Sequence, residues 1–195
     1  MLSNIKNLSL TKKLAYKIVF FIFCLIPFFS GLDSIPPLDR DESRFVQSTY
    51  QMIETNDYIN IKFLDEIRAK KPIGIYWAQS FFANIFGEDK ISSYRYVSTL
   101  GALITILILW KFSQILFGQQ ASLFVVSASM ISLLFIFESH VAKTDTLLLS
   151  LITLQQFLLL KIILNKEKSI FFDLIMPISM SVSYTHLTLP TTEAV

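Results

Sequence analysis

The fold is decided by VSTLGALITILILWKFSQILF, residues 97–117, in which Lys111 is the single charged side chain. A helix that crosses the hydrocarbon core of a bilayer needs roughly 20 mostly apolar residues, and this stretch has that length. Because backbone polar groups in lipid must be paired within their own segment, such stretches are expected to be helices. The same character recurs at Leu14–Leu32, Ala121–Phe137 and Thr146–Leu164 and begins again at residues 170–181. The sequence therefore predicts an all-α, polytopic transmembrane protein of four to five spans.

The composition agrees with this class of protein. Of the 195 residues, 53% are hydrophobic and 16% charged, and the mean hydropathy is +0.55. Soluble domains carry about 25% charged residues, so the composition argues against an ordinary soluble domain and more strongly against a disordered chain. A net charge of +2 gives no basis for a nucleic-acid partner.

The basic residues predict how the chain is oriented in the membrane. Lysines cluster before the first span and after the fourth, and such clusters favour the cytoplasmic side. We therefore expect a protein of the inner (plasma) membrane with a cytoplasmic N-terminus and with residues 33–96 and 138–145 facing outward. A cleaved signal peptide is the alternative for the first span, but no small-residue cleavage site follows Gly31.

The last residues, 182–195, break the composition of the chain abruptly. Ser183–Thr192 looks like the translated end of a sequencing-library adapter, so this tail is expected to be non-native. Residues 1–181 are then expected to be the N-terminal part of a longer membrane domain, truncated after four to five spans.

Two short amphipathic helices are predicted in the outward loop of residues 33–96. The first has one apolar face formed by Phe45, Val46, Thr49, Met52 and Ile53. The second starts at Pro72, a favoured first helical residue, and continues with Ile73, Tyr76, Trp77, Phe81 and Ile85 at helical spacing. Both helices are expected to lie on the membrane surface, where Tyr76 and Trp77 suit the lipid–water boundary.

Charged residues flank these helices and the fourth span, and each has a plain structural interpretation. Asp41 and Glu42 are suited to cap the first amphipathic helix, and Asp145 to cap the fourth span. Lysines 70 and 71 either attract anionic lipid head groups or bind a lipid-linked phosphate. In the predicted orientation, all of these charges lie on the outer side of the membrane.

In this order, the motifs Arg40–Phe45 (RDESRF), Lys70–Trp77 (KKPIGIYW) and Asp145 resemble the start of GT-C membrane glycosyltransferases. The resemblance is nearest to the ArnT-like aminoarabinose transferases and the protein O-mannosyltransferases (PMT, glycosyltransferase family 39). It implies transfer of a sugar from a polyprenyl-phosphate donor to a lipid A, protein or other glycan acceptor at the outer face of the membrane. Membrane lipids are the other expected partner.

The resemblance also assigns roles to residues. It implies that Asp41, with Glu42 beside it, acts on the acceptor hydroxyl, that Lys71 and Arg44 bind the donor phosphate, and that Asp145 is the acid of the second outward loop. Supporting roles are implied for Lys70, Tyr76 and His140. No cofactor is specified, and a divalent metal is left open.

The chemistry of these residue types suits such a reaction. A positioned carboxylate accelerates proton removal from a hydroxyl by roughly 10²–10⁴-fold, and a cation stabilises a departing phosphate. We expect inversion at the anomeric carbon by a single displacement, and we expect the 195-residue chain alone to be inactive. Phe45, in place of a tyrosine, and Lys70, in place of an acid, depart from the aminoarabinose branch.

The alternative class is a non-enzymatic membrane protein, either a transporter fragment or a lipid-binding scaffold. A transporter is expected to carry charged or broken helices within its spans. Here the spans are nearly free of charge, which favours a site at the membrane surface.

Overall fold

The computed structural model of the protein describes residues 22, 25–37, 39–68, 71–165, 173–175 and 177–178. After a helical turn at residues 25–29, the chain forms α1 (Arg40–Thr55), β1 (Lys62–Phe63), β2 (Glu66–Ile67), α2 (Gly74–Phe86), α3 (Ile91–Ile131), α4 (Leu133–Ser139) and α5 (Asp145–Asn165). Lys70, much of the first and fifth predicted spans and the tail at 182–195 lie outside the described residues.

The long helix α3 contains the second predicted span and most of the third. It is interrupted at Gly118, whose φ of 82° and ψ of −179° are adopted at low cost only by glycine. The helix therefore turns where the sequence separates the two spans.

The third predicted span, residues 121–137, differs from one continuous helix. Ser132 has extended φ and ψ of −62° and 116°, and its hydroxyl accepts a hydrogen bond from the Phe135 N–H at 3.5 Å. This cap ends α3 and starts α4, because a serine hydroxyl can replace the backbone partner that a helix start lacks.

Two helices among the described residues are long and apolar enough to cross a membrane, namely α3 and Asp145–Leu164 of α5. They approach closely at Gly101, where an added Cβ atom would lie 2.9 Å from the backbone nitrogen of Leu147. Large apolar side chains on both helices point outward, for example Leu107 at 49% and Ile163 at 64% exposure. Uncovered apolar surface of this extent is typical of helices that face lipid or further helices.

The helix α1 is amphipathic, as predicted, but its apolar face is covered by protein. Phe45, Met52 and Ile61 form a buried cluster with Ile75 and Tyr76 of α2. The side of α1 that we expected to contact the membrane surface therefore forms the core of residues 33–96.

The helix α2 begins at Gly74, two residues after the expected start at Pro72. Tyr76 is fully buried, whereas Trp77, Phe81 and Ile85 are 49%, 60% and 57% exposed. Because these three residues follow helical spacing, α2 keeps an apolar stripe on its outer side.

The hairpin β1–β2 is fixed between the two amphipathic helices. The Gln51 side chain donates to the Leu64 carbonyl at 3.2 Å and accepts from the Leu64 N–H at 2.8 Å. The Trp77 indole N–H donates to the Tyr58 carbonyl at 2.8 Å. The loop between α1 and α2 is thus tied to both helices.

Candidate active site

The N-terminus of α1 is capped by Asp39. Its Oδ1 accepts a hydrogen bond from the Asp41 N–H at 3.3 Å, and its other carboxylate oxygen forms an ion pair with the Lys143 ammonium group. The hydrogen bond from Lys143 holds the pKa of Asp39 below its ordinary value. The capping role considered for Asp41 and Glu42 therefore belongs to Asp39.

Asp41 presents its carboxylate to solvent in the first turn of α1. Its side chain is 56% exposed, and its Oδ1 lies 3.4 Å from the Arg44 Nη1 one helical turn later. An exposed carboxylate beside an arginine is accessible to a substrate hydroxyl.

Glu42 has a different environment, because its side chain is fully buried. One carboxylate oxygen accepts from the Arg95 Nε at 2.7 Å and from the Ala142 N–H at 3.0 Å, and the other accepts from the Arg95 Nη2 at 3.2 Å. Glu42 therefore connects α1 to α3 and to the loop at residues 138–145.

Arg95 is the residue at the centre of this arrangement, and it was not among the site residues predicted from the sequence. All five N–H groups of its guanidinium are used, because it also donates to the carbonyls of Leu32 and Ile35 at 2.8 and 2.7 Å and of Pro36 at 3.2 Å. A signal was present: an arginine at the start of a long apolar helix is costly unless a carboxylate pairs with it.

A second bridge joins α1, α2 and the 138–145 loop. The Thr49 hydroxyl donates to the Gln79 Oε1 at 2.7 Å, and the Gln79 Nε2 donates to the Ala142 carbonyl at 3.3 Å. Since the Ala142 N–H bonds to Glu42, both backbone polar groups of Ala142 are held by side chains of the amphipathic helices.

The 138–145 loop adds acids and a lysine to this region, with Lys143 paired to Asp39 at the start of α1. Burial raises the pKa of Glu138, and the negative charge of Asp145 raises it further, whereas Lys143 opposes the shift. Burial lowers the pKa of Lys143, but the surrounding carboxylates outweigh this effect and raise it overall. Charge in this loop is therefore balanced around the single ammonium group of Lys143.

Asp145 is exposed and is the first residue of α5. Its Oδ1 accepts from the Thr144 hydroxyl at 3.1 Å, and the Thr144 carbonyl accepts the hydrogen bond from the Leu148 N–H at 2.8 Å. The capping position thus belongs to Thr144, and Asp145 lies inside the first turn.

The remaining residues of the predicted site occupy varied environments. Lys71 is half-buried and, within the described ranges, makes no hydrogen bond or ion pair. His140 is buried, with Nδ1 2.7 Å from the Ile136 carbonyl and Nε2 3.0 Å from the Ser30 carbonyl, which is a structural position. Tyr76 packs on Phe45 in the core and not at the expected lipid–water boundary.

Metal binding was left open by the sequence. In the part of the chain that the structure describes, no group of three or more histidine, cysteine, aspartate or glutamate side chains is placed to hold an ion.

These features are those of a membrane protein whose candidate site lies at the ends of its membrane-crossing helices. Apolar helices of membrane-crossing length carry, at their ends, two packed amphipathic helices and a cluster of acids and bases. Residues 70–189 match the dolichyl-phosphate-mannose-protein mannosyltransferase family, and the chain belongs to that family.

Relatives and solved structures agree with this assignment. The undecaprenyl phosphate-alpha-4-amino-4-deoxy-L-arabinose arabinosyl transferase of Aeromonas hydrophila is 28% identical over 125 residues, which cover 64% of this chain and 22% of that protein. A second such transferase, from Proteus mirabilis, is 23% identical over 116 residues, covering 60% of this chain and 21% of that protein. The chain therefore spans about a fifth of the length of these curated relatives.

The fold is that of a solved membrane protein. The crystal structure of ArnT from Cupriavidus metallidurans bound to undecaprenyl phosphate superposes with a TM-score of 0.77 at 18% identity, covering 87% of this chain and 32% of that one. The apo structure of the same protein gives a TM-score of 0.76. The predicted all-α, polytopic transmembrane fold of GT-C type is thereby confirmed.

Proposed function

We propose that the full-length protein is a membrane glycosyltransferase that moves a sugar from a polyprenyl-phosphate donor to an acceptor hydroxyl. The observation that carries this proposal is the exposed Asp41 carboxylate, set in a first helical turn that is fixed on two sides. Asp39 holds this turn to Lys143, and Glu42 holds it to Arg95. The names of the relatives, which specify an undecaprenyl phosphate-linked sugar, support the donor class.

The reaction follows from the position of Asp41. The acceptor hydroxyl gives its proton to the Asp41 carboxylate as its oxygen forms a bond to the anomeric carbon. The bond from that carbon to the phosphate oxygen breaks, and the lipid phosphate leaves with the bonding electrons. A single displacement of this kind inverts the anomeric configuration.

Cations stabilise the negative charge that develops on the departing phosphate. We assign this role to Lys71, whose ammonium group has no partner in the described ranges, and to Arg44, which lies 3.4 Å from Asp41. Asp145, exposed at the start of α5, is assigned to acceptor binding.

Glu42 is assigned a positioning role in place of direct catalysis. Both of its carboxylate oxygens accept hydrogen bonds from Arg95, and its side chain is fully buried. It therefore acts through Asp41, the residue before it, by fixing the first turn of α1.

The finer assignments complete the proposal. The donor sugar is a pentose or hexose, and the acceptor is lipid A, a protein or another glycan. The N-terminus lies in the cytoplasm, and Asp41 and Asp145 lie at the outer face of the inner (plasma) membrane. The location of the charged side chains at helix ends favours this function over a transporter.

The test uses the full-length protein in proteoliposomes with undecaprenyl phosphate-linked 4-amino-4-deoxy-L-arabinose and lipid A. Asp41→Asn should lower kcat by at least about 100-fold, because the amide cannot accept the proton. Glu54→Gln, which removes an exposed acid at the other end of the same helix, should leave the rate unchanged.

Two results would contradict the proposal. Wild-type turnover by Asp41→Asn would remove Asp41 as the base, and an NMR spectrum showing retained anomeric configuration would remove the single displacement. Lipid binding by a wild-type protein that transfers no sugar would instead favour the scaffold alternative.

A further inference from the structure

Two buried hydrogen-bond donors lie together beside Phe45 of α1, without hydrogen-bond partners among the described residues. The Tyr76 side chain is fully buried, and its hydroxyl has no hydrogen-bond partner among the described residues. The Nε of Arg68 is likewise buried and unpartnered within the same part of the chain. Buried donors of this kind are costly to a protein, so each calls for an explanation.

The two side chains are adjacent. The Arg68 guanidinium carbon lies 5.4 Å from the Phe45 ring centroid, and the Phe45 and Tyr76 rings are 5.5 Å apart. Burial raises the pKa of Tyr76, and the nearby Arg68 opposes that shift without forming a hydrogen bond of good geometry. The hydroxyl therefore remains protonated at neutral pH and is available as a donor.

Arg68 is held in this position by the hairpin. Its backbone N–H donates to the Ile61 carbonyl at 2.8 Å, and its guanidinium also covers the Phe63 ring at 5.8 Å. The hairpin itself is clamped to α1 through the two hydrogen bonds between Gln51 and Leu64. The donors are thus arranged before any ligand binds, which lowers the entropic cost of binding.

The chemistry of the site specifies an anion. Arg68 supplies a fixed positive charge, and it forms no ion pair with a carboxylate in the described ranges. Lys71, three residues later, also has no hydrogen-bond or ion-pair partner in the described ranges. Its Cα atom can lie at most about 11 Å from that of Arg68, the length of three extended residues. An arginine fork and a hydroxyl suit phosphate oxygens, because each donates along a defined direction.

We infer that Arg68 and Tyr76 form an anion subsite that binds a phosphate group of the substrate, with Arg68 supplying the charge and Tyr76 a directed hydrogen bond. This inference rests on the proposed function, because the phosphate belongs either to the prenyl-phosphate donor or to a phosphorylated glycolipid acceptor. In both cases, the Arg68 guanidinium offsets the negative charge of the bound phosphate.

The experiment measures lipid binding by the full-length protein in phosphatidylcholine nanodiscs. The titrants are undecaprenyl phosphate, neutral undecaprenol and lipid A. Arg68→Met and Tyr76→Phe are expected to weaken binding of one phosphorylated lipid by about tenfold, the loss of one hydrogen bond to a charged group. Binding of undecaprenol should not change.

The design includes a control for charge and one for folding. Lys62→Met removes an exposed cation from the same hairpin and should leave all three affinities unchanged. Tyr76→Phe removes a hydroxyl that has no partner in the described protein, so its melting temperature should equal or exceed that of the wild type.

The outcomes separate the two phosphate sources. Weaker binding of undecaprenyl phosphate assigns the subsite to the donor, and weaker binding of lipid A assigns it to the acceptor. Unchanged affinity for both lipids in Arg68→Met and Tyr76→Phe overturns the inference. Absence of sugar transfer by the wild type would instead refute the proposed function, because phosphate binding is measured separately.

Discussion

Arg95 and Glu42 form a fully buried ion pair, with the Nε and Oε1 atoms 2.7 Å apart, that joins the start of α3 to the start of α1. The same Glu42 oxygen accepts from the Ala142 N–H at 3.0 Å, so the pair also fixes the 138–145 loop. Asp41 directly precedes Glu42 in the chain. The position of the proposed base is therefore determined by a contact between residues that are 53 positions apart.

Removing one partner of this ion pair should be strongly destabilising. Arg95→Met leaves the Glu42 carboxylate buried without its counter-charge, a change that costs about 3–5 kcal/mol. The melting temperature in detergent should fall well below that of the wild type. Arg40→Met, which removes an exposed arginine from the first turn of α1, should have little effect.

The double variant Arg95→Met/Glu42→Met distinguishes a lone buried charge from general loss of packing. It should be more stable than Arg95→Met alone, because no unpaired charge remains. A double variant that is less stable than both single variants would contradict the explanation that an unpaired buried charge destabilises Arg95→Met.

The contact between α3 and α5 depends on the absence of a side chain at Gly101. An added Cβ would lie 2.9 Å from backbone atoms of Thr146 and Leu147, which cannot move as a flexible side chain can. Gly101→Ala should therefore cost about 1–3 kcal/mol, and Gly101→Val more, as measured by thermal unfolding. Equal stability of the wild type and the valine variant would contradict this close approach.

The Asp39–Lys143 ion pair should shape the pH dependence of stability. The pKa of Asp39 is lowered from 3.8 in the folded protein. The Asp39 carboxylate therefore stabilises the fold fully above pH 3.8, and this stabilisation is lost as the pH falls through the lowered pKa. The pKa of Lys143 is raised from 10.5 in the folded protein. The Lys143 ammonium group therefore stabilises the fold fully below pH 10.5, and this stabilisation is lost as the pH rises through the raised pKa.

Lys143→Met should flatten both limbs of a plot of melting temperature against pH. Since Lys143 also opposes the raised pKa of Glu138, this variant should protonate Glu138 at a higher pH than the wild type does. If the melting temperature of Lys143→Met falls as steeply at acidic and alkaline pH as that of the wild type, the Asp39–Lys143 ion pair contributes nothing to stability.

The side of the membrane on which each loop lies can be tested by labelling single cysteines in the full-length protein, after its native cysteines, Cys24 among them, are replaced. Cysteines at exposed positions 41 and 145 should react with an impermeant reagent in intact cells. A cysteine at exposed Gln119, beside the turn at Gly118, should react only after permeabilisation, because residues 91–117 form a helix about 40 Å long. Labelling of 41 and 145 from opposite sides would end the proposal of one active site.

Much of the fold followed from the sequence because it depends on composition within single segments. The long apolar stretches identified the membrane-crossing helices, and the turn at Gly118 separated two of them where residue spacing indicated. The break at Ser132 was missed, since a serine within an apolar stretch is compatible with both a continuous helix and a cap.

The candidate site was only partly predictable. The sequence identified Asp41 and Glu42 near the start of α1 but missed Asp39 as the cap, and it could not tell which acid is exposed and which is buried. Asp39, Asp41 and Glu42 take these three different roles. Tyr76 was expected at the lipid–water boundary, because helical spacing gives the faces of a helix but not which face another helix will cover.

The sequence by itself determined that the chain forms apolar helices with charges at their ends. A charged side chain within the bilayer is unfavourable wherever it lies, so the position of charges along each segment is enough to predict the helix that spans it. Only the tertiary structure decided that Glu42 pairs with Arg95, that Lys143 pairs with Asp39, and that Arg68 lies beside Tyr76. These contacts join segments that are separate in the chain, and their geometry depends on how the helices pack.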